Sequence, residues 1–141
     1  MSIDSDAFLS LSCYCMKAEQ EIAICYILNN SSNINEDDIS EMIGRCSKDM
    51  YENAVRVLAG LGYPKVKSAI PSLFQLLQDL TWPGSTQAFQ LLLSMPTDAY
   101  ENELRHSIGL AAKNNDTEWA TNLATFIEKS GISDAGTGAM S

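Results

Sequence analysis

The chain has 141 residues, 45% of them hydrophobic, with 18 acidic against 9 basic side chains and a formal net charge of −9. That length suffices for one domain with its own core, and that hydrophobicity excludes a disordered chain. The charge argues against phosphate backbones and anionic membranes as partners, because affinity for both comes from Lys and Arg.

A basic protein is the partner that the charge suits. The acidity is also uneven. Residues 1–44 hold eight acids (Asp4, Asp6, Glu19, Glu21, Glu36, Asp37, Asp38, Glu41) and one base, Lys17, a net −7. Asp4 and Asp6 stand where a secretory signal would carry basic residues. No run of 18 apolar residues occurs. The expected location is cytoplasmic.

In chain order, residues 5–28 read as one long helix, capped by Asp4 or Ser5. Phe8, Leu11, Cys15, Ala18, Ile22 and Cys25 fall at spacings of 3 and 4 and form the expected inward seam. Asn29 to Asn33 is a polar turn. Asn35 caps a helix from Glu36 to Cys46, with Ile39, Met42, Ile43 and Cys46 inward. The acids Glu36, Asp37 and Asp38 fall in its first turn, where the helix dipole favours them. Asp49 to Leu61 is the next helix, facing in with Met50, Ala54, Val57, Leu58 and Leu61. Gly62 stands as its C′ residue.

The stretch LGYPKVKSAIPSLFQLLQDLTWP, Leu61 to Pro83, is punctuated like a helical repeat. Pro64 and Pro71 can each occupy a first helical turn. Lys65 to Ala69 is a short turn of helix. Leu73, Leu76, Leu77 and Leu80 then lie on one helix face, and Trp82-Pro83 closes that helix. Gly84 to Met95 buries Ala88, Leu91, Leu92 and Met95, and Pro96 stops it. Asp98 to Lys113 carries Tyr100, Leu104, Ile108 and Ala111 inward. Asp116 or Thr117 caps the last helix, which buries Trp119, Leu123 and Phe126 and ends at Gly131. Ile132 to Ser141 has no period and is expected to be disordered.

About seven helices with short connections make an all-α fold of antiparallel neighbours. Hairpins 71–95 and 98–130 are alike in length, which suggests a two-helix repeat, with an irregular bundle as the competing architecture. From Ser47 to Gly131 the chain resembles a family of small, mostly bacterial, HEAT-like helical proteins. The residues that carry the likeness are Lys48-Asp49, Ala54, Leu58, Leu61-Gly62-Tyr63-Pro64, Val66, Ile70-Pro71, Leu73, Leu77, Gln78-Asp79, Trp82-Pro83 and the Trp119 segment. The resemblance implies stacked helix hairpins over residues 47–131 and no activity to carry over. By type, such proteins are similar to immunity proteins, which neutralise a cognate toxin in the producing bacterium. Residues 1–46 depart from the shared pattern.

Chemistry-bearing residues are sparse. Cys13 and Cys15 point about 200° apart on a helix, so they cannot close a zinc site with Cys25 and Cys46. All four are expected to be reduced, buried, small hydrophobes. His106, the one histidine, has no nucleophile tied to it by spacing and is expected on a solvent-facing or helix-lining position. No glycine pattern reads as a phosphate loop. No cofactor or metal and no enzymatic activity are expected. The acidic cluster Glu36, Asp37, Asp38 and Glu41 is the candidate partner-binding site, a negative patch steering a basic toxin domain. The alternative function is a helical scaffold or adaptor for another protein or peptide.

Overall fold

The computed structural model describes residues 5–12 and 15–131, and every regular element among them is helical. The α-helices are α1 (Ser5–Leu9), α2 (Lys17–Asn29), α3 (Glu36–Glu41), α4 (Tyr51–Leu61), α5 (Ile70–Gln75), α6 (Ser85–Leu93), α7 (Thr97–Lys113) and α8 (Thr117–Ser130). Short 3₁₀ turns at 31–33, 43–45, 48–50, 67–69 and 76–78 join or extend them. The all-α expectation therefore holds. The expected cap at Asp4 and tail at 132–141 lie outside the described residues, as does Cys13.

The helices fall into two rows. In one, α2 touches α4, α4 touches α6 and α6 touches α8; in the other, α3 touches α5 and α5 touches α7. Contacts of α5 with α6 and of α7 with α8 join the rows. The core between them is one apolar cluster from Phe8 to Phe126. Its aromatic centre is Phe126, whose ring meets Phe74, Phe89 and Tyr100 edge-on at centroid distances of 5.3, 5.3 and 5.2 Å. Such edge-to-face pairs add to the burial of the rings themselves.

The C-terminal half follows its sequence pattern. Ala88, Leu91, Leu92, Met95, Tyr100, Leu104, Ala111, Trp119, Leu123 and Phe126 are all buried. Asp116 caps α8 by accepting the Trp119 N–H at 3.0 Å, and Gly131 ends it in the left-handed region. Gly62 ends α4 with φ 73°.

The helix expected from Glu36 to Cys46 ends at Glu41 and is followed by a 3₁₀ turn over Ile43–Arg45, and two further segments differ more. The helix expected from Pro71 through Leu80 stops at Gln75 and tightens into a 3₁₀ turn. Side chains from elsewhere take the carbonyls released there. Trp119 Nε1 donates to Phe74 O at 3.1 Å, Asn122 Nδ2 to Leu77 O at 2.7 Å, and Ser85 Oγ to Leu76 O at 2.7 Å. Helix ends leave carbonyls in need of such donors. Pro71 does sit in the first turn of α5, but Pro64 lies in the turn before it. Trp82 is half-buried, under the Lys48 ammonium (4.7 Å from the ring centroid) and beside Tyr51. Gly84 follows with φ 86°, and a Cβ there would stand 2.8 Å from the Glu52 nitrogen and the Tyr51 carbonyl carbon. No other residue suits both demands.

The second of the two is at the N-terminus. The single helix expected over 5–28 is two helices, the first ending at Leu9 and the second starting at Lys17, with Met16 before it at φ −59° and ψ 145°. A buried polar network takes carbonyls at the break. Asn53 Nδ2 donates to Leu11 O at 2.8 Å and to Gln20 Oε1 at 2.7 Å, and Gln20 Nε2 donates to Cys15 O at 2.8 Å. Arg56 Nη1 in turn donates to Asn53 Oδ1 at 3.2 Å. Because Gln20 must face Asn53, α2 presents Gln20, Ala23, Ile24 and Ile27 to the core. Of the expected seam, Phe8 and Leu11 are buried and Cys15 is partly so, while Ala18, Ile22 and Cys25 face outward.

Candidate functional site

The acidic cluster starts α3. Asn35 caps the helix, its Oδ1 accepting the Asp38 N–H at 2.8 Å, while Asp38 Oδ2 accepts the Asn35 N–H at 3.3 Å. This reciprocal pair is a capping box with aspartate in the third position. It turns Asp38 inward, to 3% exposure, so Asp38 cannot meet a partner as the sequence reading expected. Arg45 lies 3.8 Å from Asp38 Oδ1 and donates to Glu41 Oε2 at 2.5 Å. Glu36, Asp37 and Glu41 remain exposed.

Beside Glu36 the chain forms a cleft of about 650 Å³ between the α3 segment and residues 64–71. Ile34, Ile39, Pro64 and Pro71 give it apolar walls, while Glu36, Lys65, Lys67 and Ser68 give it polar ones. Ser68 Oγ donates to the Glu36 carbonyl at 3.2 Å and Lys65 Nζ to the Ser31 carbonyl at 2.8 Å, which ties the two sides together. The surroundings of the acidic cluster are therefore mixed in sign. The four acids Glu36, Asp37, Asp38 and Glu41 are set against Arg45, Lys65 and Lys67. Sequence reasoning missed the lysines because they lie about thirty residues downstream and come together with α3 only through tertiary packing. A cleft with apolar walls and a charged rim can seat an apolar side chain of a partner while charge sets its orientation.

The other candidates sort by position. His106 is exposed on α7. Among the described residues, no group of three His, Cys, Asp or Glu is placed to hold a metal ion. Cys15, Cys25 and Cys46 are free thiols. They are not uniformly core as expected: Cys25 is exposed, and Cys15 and Cys46 are partly buried. Burial, with Asp49 nearby, pushes the Cys46 thiol up to about 12, so it stays protonated at neutral pH. Arg56 pairs with Glu21 through two contacts of 2.6 and 3.0 Å and holds that carboxyl below its ordinary value. Asp49 is likewise held low, first by the Ser12 hydroxyl and then by that of Ser47.

No protein-family model, curated protein or solved structure matches this chain.

Proposed function

We propose that this chain is a protein-binding module whose partner is a basic protein, docking at the cleft between α3 and residues 64–71. The observation that carries the reading is the pairing of apolar walls from Ile34, Ile39, Pro64 and Pro71 with the exposed Glu36 in the same lining, at the start of a helix that also exposes Asp37 and Glu41. The net −9 of the whole chain supplies long-range attraction, and the mixed rim sets the register of docking. The finer reading is an immunity-type inhibitor that blocks a toxin domain stoichiometrically and sterically, inside the bacterium that makes it. The two rows of helices support the HEAT-like stacking that goes with it. A scaffold or adaptor role would use the same cleft for an extended segment of another protein, its walls favouring an apolar side chain.

The test begins with pull-down from the native cell and identification of the bound protein. Association rates are then compared for the wild type and Asp37→Lys/Glu41→Lys at two salt concentrations. The double reversal is expected to slow association several-fold and to flatten its salt dependence. Equal rates and equal salt slopes would remove the acidic edge from the interface. A captured partner with no toxic activity of its own would favour the adaptor role.

A further inference from the structure

The outward face of α2 is apolar from Ala18 to Tyr26, and the exposed Asn29 ends it. At about 100° per residue, Ala18, Ile22, Cys25 and Tyr26 lie within one stripe, opposite the buried Gln20, Ile24 and Ile27. Ile22 is 68% exposed and Tyr26 48%, and Met16, just before the helix, is 70% exposed. Leu9 adjoins this end, since the Cys15 thiol reaches the Leu9 carbonyl at 3.9 Å, and is itself 63% exposed. The largest apolar patch on a monomer's surface is often functional.

We infer that this stripe is a self-association surface on which α2 of a second copy packs antiparallel. Three observations choose that occupant. The first is charge. Lys17, Glu19, Glu21 and Arg56 on and beside α2 sum to zero on a chain of net −9. A basic partner gains nothing there, and a second copy meets no local repulsion. The second is orientation. A parallel pair would set Glu19 against Glu19 and Lys17 against Lys17. An antiparallel pair centred near Ile22 separates the like charges and places small Ala18 opposite large Tyr26. The third is area. The exposed parts of Leu9, Met16, Ile22 and Tyr26 alone amount to roughly 500 Å² per copy, so pairing that covers them removes roughly 1,000 Å², the lower limit for a specific interface. The dimer is therefore weak and reversible. It is independent of the proposed partner cleft, which is built from other elements.

The test is sedimentation velocity of the full chain at low and high salt. A monomer–dimer equilibrium is expected with Kd on the order of 10–100 µM, as suits so small an interface. Higher salt should tighten it, because salt screens the repulsion between two acidic copies. Ile22→Glu and Ala18→Glu should each weaken dimerisation at least tenfold while leaving circular dichroism and Tm unchanged. A variant keeping Cys25 as its one cysteine should be joined into a covalent dimer by a short bis-maleimide, and Ile22→Glu should abolish the product. A wild type that stays monomeric up to about 500 µM, far above the expected Kd, would overturn the inference. So would a dimer that both glutamate variants leave intact, or one that higher salt dissociates.

Discussion

Helices α2 and α8 have 13 and 14 residues, and both carry apolar residues at spacings of 3 and 4. In α8 the spacing names the buried side: Trp119, Leu123 and Phe126 are inside. Thr121 and Thr125 return their hydroxyls to the carbonyls four residues earlier. In α2 the same spacing names the wrong side. Its segment AICYIL is apolar nearly all round, so either face could serve as the core face, and a polar residue decides. Gln20 goes inward because Asn53 waits there with an amide to share. Periodicity assigns an inward face only when the opposite face is polar.

That contrast can be broken at several points. The largest effect is expected in the aromatic centre. Phe126→Ala should cost about 3–5 kcal/mol, since the ring is fully buried and meets three other rings. Denaturant unfolding measures it, and a loss under 1 kcal/mol would mean the cluster repacks.

Ile24 and Ile22 test the orientation of α2 directly. Ile24→Ala should cost about 2–5 kcal/mol and Ile22→Ala no more than about 0.5 kcal/mol, both measured at low protein concentration. The reverse order would restore the seam read from the sequence.

Asn53→Ala should cost about 1–3 kcal/mol, because the Leu11 carbonyl and the Gln20 amide lose their buried donor. If the network orients α2, amide exchange in residues 17–29 should rise more than in α8.

The smallest effect is acid. Glu21 and Asp49 have folded pKa values below their ordinary values of 4.5 and 3.8. Carboxyls with depressed folded pKa values contribute stability that is present above their unfolded values and is lost as pH falls through the folded ones. Both fasten the N-terminal layer, Glu21 to Arg56 on α4 and Asp49 to Ser12. Hydrogen exchange on lowering the pH from 6 toward 3 should therefore loosen α2 before α8. Uniform loosening would show that these pairs do not hold the layer.

Much was legible without coordinates. Asn35, Asp116, Gly62, Gly131 and Pro71 each punctuate a helix where local chemistry requires it, and local chemistry is what a sequence displays. The inward residues of α6, α7 and α8 followed from period alone. Asp38 shows where that ends. Its place in the first turn was readable, but its capping box and Arg45 turn it inward, so one member of the candidate site belongs to the fold itself.

Tertiary structure decided the rest. It ended α5 early, because Trp119, Asn122 and Ser85 came from outside the segment to take its carbonyls. It set Lys65 and Lys67 beside the acidic edge, and it chose the outward face of α2. Each of these rests on a donor, a charge or a polar side chain supplied by a residue distant in sequence. The local period of one segment carries no information about partners that arrive from another.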